Sequence, residues 1–369
     1  MRVGVIGCGT VSEPYLRNMT ASPALQVVAC SDLAMERAEA RAAQFGIPGV
    51  CTQAELLADG TIDVVVDLTV PRAHFEINLA ALEAGKHVWS EKPLAMDRAE
   101  AARLLLVAAE RRLHLGCAPD TVLGAGLQTS RKLLDDGAIG RPLGGAAFFM
   151  SPGPESWHPD PIFLYQPGAG PLFDVGVYYV SALVNLLGPV ASVTAYGRVL
   201  YPERVIGSGP HAGESFSVGT DTYVTSILRF ENEALVNLVA TFGVWGADVP
   251  KLQVFGGGGV VEVPDPNTFG GPVRMNRHAD EDGWRDVPLA FDHTDHCRNC
   301  RGLGVIDLAE AVREGRPPRA SGAIAAHVLD VMQSIAESAS QRRHVEVAST
   351  CERPAPMPLG TALAEGELR

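Results

Sequence analysis

Arg2-Val3-Gly4-Val5-Ile6-Gly7-Cys8-Gly9-Thr10-Val11-Ser12 is the stretch whose reading decides the fold. Arg2 to Ile6 reads as a short buried strand, Gly7 to Ser12 as a glycine turn, and a helix runs from Ser12 to about Met19. Gly7 permits the tight turn, and Gly9 lets backbone amides approach a pyrophosphate resting on the positive end of the helix. A glycine spacing alone is weak evidence; the strand before it and the helix after it supply the context that a dinucleotide fingerprint requires. Thr10 and Val11 complete the turn and are expected to line the cofactor, and Ser12, in place of a third glycine, is small enough for close helix packing. The plain alternative is a strand-turn-helix that binds nothing.

Moving outward, the next strand, Leu25 to Cys30, ends in Ser31-Asp32. Asp32 is placed to accept hydrogen bonds from the adenosine ribose hydroxyls, and its charge repels a 2′-phosphate, so NAD is preferred and NADP is the alternative. Its other reading is a cap on the helix Met35 to Phe45. Ile62 to Leu68 is an apolar run without alternation, as in a strand covered by helices on both faces. It leads into Thr69-Val70-Pro71-Arg72-Ala73-His74, a loop expected to touch the cofactor, with His74 also readable as a structural first-turn residue. A helix from Arg72 to Ala84 then runs into Gly85, a strand follows from His87 to Ser90, and Glu91-Lys92-Pro93 ends it. A lysine at the carboxyl end of such a strand sits where open α/β sheets bind ligands, so Lys92 marks the catalytic centre, with Glu91 orienting it beside the cofactor. A helix (Asp97 to Arg112) and a sixth strand (Leu113 to Ala118) complete a dinucleotide-binding domain at about Pro119.

The remaining length calls for a second domain. The 369 residues divide into 1–119, 120–349 and a tail, 350–369, rich in Pro and Ala, that is expected to end the compact fold. The net charge of −13, without a lysine or arginine cluster, argues against nucleic acid and anionic membrane as partners. No run approaches the roughly 18 apolar residues of a membrane helix, and residues 1–7 are already strand and turn, so a cytoplasmic protein without a signal peptide is expected. Seven cysteines, odd in number and scattered, suit reduced thiols.

With Gly170-Pro171-Leu172-Phe173-Asp174-Val175-Gly176-Val177-Tyr178 added to the fingerprint, the loop with His74 and the Glu91-Lys92-Pro93 element, the chain resembles the glucose-fructose oxidoreductase, inositol dehydrogenase and rhizopine catabolism (Gfo/Idh/MocA) family over nearly its whole length. The resemblance implies an α/β fold: an N-terminal Rossmann domain and a C-terminal α/β domain with a large open, mostly antiparallel sheet that serves homodimers or homotetramers. It also implies hydride transfer between a nicotinamide cofactor and a hydroxyl or carbonyl of a sugar, sugar derivative or cyclitol. In the family's second motif an aspartate is followed four residues later by histidine; here the pair is Asp174 and Tyr178. Members resembling dimeric dihydrodiol dehydrogenase and xylose dehydrogenase also carry tyrosine there. Lys92, Asp174 and Tyr178 are thus the expected catalytic residues. A free tyrosine is a poor base at neutral pH, and an adjacent Lys92 ammonium favours the phenolate; either Tyr178 or Lys92 takes the hydroxyl proton. Relatives of the family also perform redox-neutral NAD-dependent glycoside hydrolysis or elimination. A non-catalytic nicotinamide sensor is a third reading, against which the three retained residues argue.

In the second domain, Thr121 to Asp136 reads as one helix and Gly145 to Met150 as the first strand. The long loop Ser151 to Pro167, with Trp157, His158 and Tyr165, is expected to wall the substrate pocket. Asp174 to Leu187 reads as a helix on which Asp174 and Tyr178 share a face. Asp292 to Cys300 is expected to begin a helix reaching Gly315, with His293 or His296 bordering the substrate; His293, His296, Cys297 and Cys300 would share one face, but four ligands from one helix make poor tetrahedral geometry, so no metal is expected.

Overall fold

The computed structural model describes residues 1–280, 283–292 and 299–359, and every count below refers to these. The first half of the chain alternates strand and helix: β1 (Arg2–Ile6), α1 (Ser12–Ala21), β2 (Gln26–Ser31), α2 (Met35–Phe45), β3 (Gly49–Val50), α3 (Gln53–Ala58), β4 (Val64–Asp67), α4 (Pro71–Glu83), β5 (His87–Ser90), α5 (Arg98–Arg111) and β6 (Leu115–Cys117). The strands form one parallel sheet in the order β3-β2-β1-β4-β5-β6. Strand order reverses between β1 and β4, which opens a crevice at their carboxyl ends. Val64, Val65 and Val66 are all fully buried, so this strand does not alternate because both its faces are covered.

A tight 3-10 turn (Asp120–Leu123) and α6 (Ala125–Asp135) replace the single helix expected from Thr121. Gly124 between them is extended, and glycine is a weak helix former. Then come β7 (Pro142–Met150), α7 (Val177–Leu187), β8 (Val190–Arg198), β9 (Glu203–Val205), β10 (Ser215–Ser217), β11 (Tyr223–Phe230), β12 (Leu235–Thr241), β13 (Leu252–Gly256), β14 (Gly259–Val263), β15 (Val273–Arg277), β16 (Arg285–Val287), α8 (Leu303–Glu314), α9 (Gly322–Gln341) and β17 (Val345–Glu346). Nine of these strands make a mixed sheet in the order β16-β15-β14-β13-β7-β12-β11-β8-β17, antiparallel except where β7 meets β12. The ribbon β9-β10 stands apart. Helices α7 and α9 pack together, and α9 lies on β8.

The second half of the chain also returns to the first sheet. Helix α8 starts at Leu303 after Gly302, later than the sequence suggested, and lies against β5 and β6. Gly304 permits that approach: a Cβ there would sit 1.9 Å from the ring of the fully buried Trp89. Arg98 of α5 pairs with Asp330 of α9, and Ser321 bridges to Gly116 beside it. Residues 351–358 stay attached to the fold: the Met357 amide donates to Gln128 Oε1 at 2.9 Å and Arg131 donates to the Pro354 carbonyl at 3.0 Å. Cys8, Cys30, Cys51, Cys117 and Cys351 are free thiols, whereas Cys300 is disulfide-bonded, a departure from the expectation of reduced thiols. No described helix is long and apolar enough to cross a membrane.

Candidate functional site

The end of β5 is anchored through Glu91. Its carboxylate accepts from the Tyr15 hydroxyl at 2.8 Å and from the Lys92 amide at 3.0 Å, and the Tyr15 oxygen accepts from Trp89 Nε1 at 3.3 Å. Helix α1, which begins at the glycine turn, therefore fixes the Lys92 backbone, while the Lys92 side chain leaves the sheet. Its Nζ donates to the Asp174 carbonyl at 2.8 Å and to Asp174 Oδ1 at 3.1 Å. The same ammonium lies 5.5 Å from the centre of the Tyr178 ring, within cation–π range. Burial presses Lys92 toward its neutral form, but Tyr178, Asp174 and Glu91 outweigh it and hold its pKa above the ordinary lysine value. The Lys92 side chain is 18% exposed and the Asp174 side chain 29% exposed.

Asp174 and Tyr178 meet differently from the sequence expectation. Leu172–Gly176 forms a wider π turn, and the regular helix starts only at Val177, so the two do not share an α-helical face. The Lys92 ammonium gathers them instead. Such wide turns are frequent at functional sites. Tyr178 is 6% exposed, whereas Tyr179 is wholly buried and packs near Phe149.

Sequence reasoning missed a second cation. Arg301 Nη2 donates to Tyr178 Oη at 3.1 Å. The segment carrying it is held from two sides: Asn18 Nδ2 donates to the carbonyls of Asn299 and Arg301 at 2.9 and 2.7 Å, and Asp120 Oδ2 accepts from the Gly302 and Gly304 amides at 2.9 and 3.1 Å. Burial pushes the Asp120 carboxyl up to about 6, against the pull of the Gly304 amide and Arg301. Arg301 and Tyr178 lie 123 positions apart, and Tyr15 and Glu91 76 apart, so no local spacing announced either pair.

The glycine turn lies at the crevice between β1 and β4. Gly7 has φ of 97°, and a Cβ there would lie 2.7 Å from the Leu68 backbone. Around Gly9, by contrast, a Cβ would meet no protein atom within 4 Å: the space it would enter is open, as a close-lying pyrophosphate requires. Thr10 is exposed, Val11 is half-buried, and Ser12 Oγ donates to the Gly9 carbonyl at 2.6 Å. Asp32 accepts from the Cys8 amide at 2.7 Å and the Ala34 amide at 2.9 Å, which aims its carboxylate at the turn. Each carboxylate oxygen retains acceptor capacity for a hydroxyl. The Thr69 amide and hydroxyl donate to Asp67 Oδ1 at 3.0 and 2.6 Å, Val70 is 66% exposed, and Pro71 opens α4. These residues fit a nicotinamide dinucleotide. His74 stands behind them: fully buried, its Nδ1 lies 2.7 Å from the Pro93 carbonyl and its Nε2 3.1 Å from that of Thr69. It braces the two loops against each other.

The loop after β7 divides in two. Trp157, 68% exposed, meets His158 edge-on at 5.5 Å, and His158 meets Phe163 likewise at 5.5 Å, leaving an open aromatic edge. Tyr165 is turned inward instead, which corrects its expected place on the pocket wall. Fully buried, it packs with Phe216 and Phe242 and donates its hydroxyl to Glu155, whose carboxylate Arg204 binds. His293, His296 and Cys297 lie outside the described residues.

Residues 1–118 match the model described as the oxidoreductase family, NAD-binding Rossmann fold, and residues 127–262 match the GFO/IDH/MocA C-terminal domain. A 1,5-anhydro-D-fructose reductase from Ensifer adhaerens is 31% identical over 188 residues, 49% of this chain and 55% of that relative. Inositol 2-dehydrogenase 3 from Saccharopolyspora erythraea is 28% identical over 280 residues, 74% of this chain and 75% of its own length. The structure of levoglucosan dehydrogenase in its apo form superposes with a TM-score of 0.82 at 23% identity, covering 95% of this chain and 99% of that one, a likeness of fold.

Proposed function

Since the chain belongs to the Gfo/Idh/MocA oxidoreductase family, we propose that it is an NAD-dependent dehydrogenase acting between a hydroxyl and a carbonyl of a sugar, sugar derivative or cyclitol such as an inositol. The observation that carries this reading is the Lys92 ammonium, bound to Asp174 and lying over Tyr178, at the carboxyl end of β5 in a dinucleotide-binding sheet. The names of the relatives, an anhydrofructose reductase and an inositol dehydrogenase, supply the substrate class.

Bound nicotinamide supplies the hydride acceptor or donor; proton transfer and orientation fall to the protein. An ammonium has three donors, and Asp174 takes two of those of Lys92, which leaves one for the substrate oxygen. With two of its donors on Asp174, Lys92 is assigned to polarise that oxygen and Tyr178 to act as the base. Tyr178 Oη takes the hydroxyl proton in oxidation and returns it in reduction. The free Asp174 Oδ2 accepts from a neighbouring hydroxyl and so selects which carbon faces the cofactor. Positioning of this kind is worth roughly 7–11 kcal/mol of a barrier.

Asp32 at the ribose position supports NAD over NADP, and equal affinity for the two in a titration would sink that preference. Tyr196, Ile227 and Leu235 stand exposed on one face of the second sheet, and we assign that face to self-association as a dimer or tetramer, to be checked by sedimentation. The function itself is tested by mixing the protein and NAD with a panel of pyranoses, pyranosides and inositols and following absorbance of the reduced nicotinamide. NADH accumulating with one compound is the expected outcome. Bound NAD without NADH release from any of them would overturn the dehydrogenase reading.

A further inference from the structure

Hydride transfer through Lys92, Asp174 and Tyr178 leaves Arg301 without a role, yet the fold holds this residue with care. Its three hydrogen-bond acceptors are Tyr178 Oη at 3.1 Å, Asn299 Oδ1 at 2.8 Å and Asn267 Oδ1 at 3.5 Å. All are neutral groups, and among the described residues no carboxylate forms an ion pair or hydrogen bond with this guanidinium. Its backbone is pinned by Asn18 from α1 and by Asp120 from the turn after β6. Both anchors come from outside the segment that carries the arginine, and both are buried. An arginine needed only for solubility requires neither.

We propose that Arg301 is a positioning residue for proton transfer: its guanidinium donates to Tyr178 Oη and holds that oxygen as the acceptor of the substrate's hydroxyl proton. The inference rests on the assignment of Tyr178 as that acceptor. Arginine only donates and does not deprotonate in proteins, so it does not compete for the proton. A hydrogen bond to an ionised acceptor is roughly twice as strong as one between neutral groups, so the contact favours the phenolate over the phenol. In oxidation the carbinol hydride leaves for the nicotinamide, the substrate O–H breaks as its C=O forms, and the proton bonds to Tyr178 Oη, later to be released to solvent.

The charged and titratable groups around this oxygen come from five elements. Lys92 and Glu91 stand at the end of β5, Asp174 on the π turn before α7, and Arg301 on the segment before α8. Tyr15 on α1 and Asp120 act on Arg301 through the field. Asp174 is answered by Lys92, and Glu91 is engaged by Tyr15 and the Lys92 amide. The two cations that face Tyr178 therefore act on it from its ring and from its hydroxyl.

The test compares Arg301→Gln and Arg301→Lys with the parent, measuring kcat and KM against pH with NAD and the panel compound that is oxidised fastest. For Arg301→Gln we expect kcat at neutral pH to fall about tenfold and the acid limb of the kcat profile to move up by about one pH unit, the two being equivalent. KM should stay within about threefold, since the contact is not with substrate. Arg301→Lys, which keeps a charged donor, should recover most of the loss. Asn18→Ala offers a second route that keeps the guanidinium but frees its backbone, and the same limb should move in the same direction. An unmoved limb with a raised KM would mean that Arg301 grips substrate, and equal losses in Gln and Lys with weakened NAD binding would mean that it only holds the fold; either result overturns the inference. Tyr178→Phe separates the levels: if it keeps turnover, the acceptor assignment fails; if it is inactive while the Arg301 variants keep the parent profile, only the role of Arg301 fails.

Discussion

Two tyrosines thirteen positions apart, Tyr165 and Tyr178, have opposite surroundings. Tyr165 donates its hydroxyl to the Glu155 carboxylate, and burial together with that anion drives its pKa above the ordinary tyrosine value. Tyr178 instead accepts from the Arg301 guanidinium and lies beneath the Lys92 ammonium. Both rings are buried and both sites pair an acid with a base: Arg204 with Glu155, Lys92 with Asp174. What separates them is which partner faces the hydroxyl. Tyr165 Oη donates to an anion, whereas Tyr178 Oη accepts from a cation. Residue type and burial do not separate the two tyrosines; the polarity of the hydrogen bond does, and the proposed proton acceptor is the one that faces cations.

The largest effect should come from the cationic side. Tyr178→Phe and Lys92→Ala are each expected to lower kcat by about 10²–10⁴, the range of positioned acid-base groups, with NAD affinity nearly unchanged. Steady-state kinetics beside a cofactor titration checks both. Turnover near the parent value in either variant would break the comparison, because the site facing two cations would then be no more chemical than the other.

The comparison also marks what can be read from one dimension. Lys92 was legible because a short strand ended by Pro93 is a local pattern, and β1, β2 and β4 because their apolar runs are continuous. Strands β3, β9, β10, β16 and β17 were not, since two or three residues carry no period. The loop aromatics were visible as a group, but that Tyr165 turns inward depends on Phe216, Phe242 and Arg204, which lie far along the chain. His74 was seen on the correct loop, and only the fold reveals that both its nitrogens face protein carbonyls. Arg301 had no signal at all: its segment was read as the start of a helix, while Gly302, with φ of 103°, keeps it outside α8.

Asp120 is where the cationic environment of Tyr178 is least simple, since it sets a buried carboxyl near Arg301. Its pKa rises from 3.8 to about 6 on folding, so between these values the folded state holds a proton that the unfolded state has released. Stability from this group is therefore present below pH 4 and is lost as pH rises through 6, by about 3 kcal/mol at most. Asp120→Asn keeps an oxygen for the Gly302 and Gly304 amides and removes the titration. Urea unfolding from pH 4 to pH 7 should show the variant gaining on the parent as pH increases. A constant difference would mean that Asp120 is charged even at pH 4, and Arg301 would then lie near an anion across the whole range.

The smallest effect, and the one that sharpens the contrast most, belongs to Tyr165→Phe. The ring remains, so the packing against Phe216 and Phe242 is kept, and Glu155 retains Arg204. Only one hydrogen bond to a carboxylate is removed, which costs about 1–3 kcal/mol of stability, read as a lower urea midpoint with the slope unchanged. Turnover should stay within about twofold, because the hydroxyl is buried against Glu155. The paired result matters more than either half. A phenylalanine that silences position 178 without unfolding the protein, and loosens position 165 without silencing it, assigns chemistry to the tyrosine facing cations and support to the one facing an acid. Loss of turnover at 165 with stability intact would reverse that assignment and place the Ser151 to Pro167 loop in the reaction.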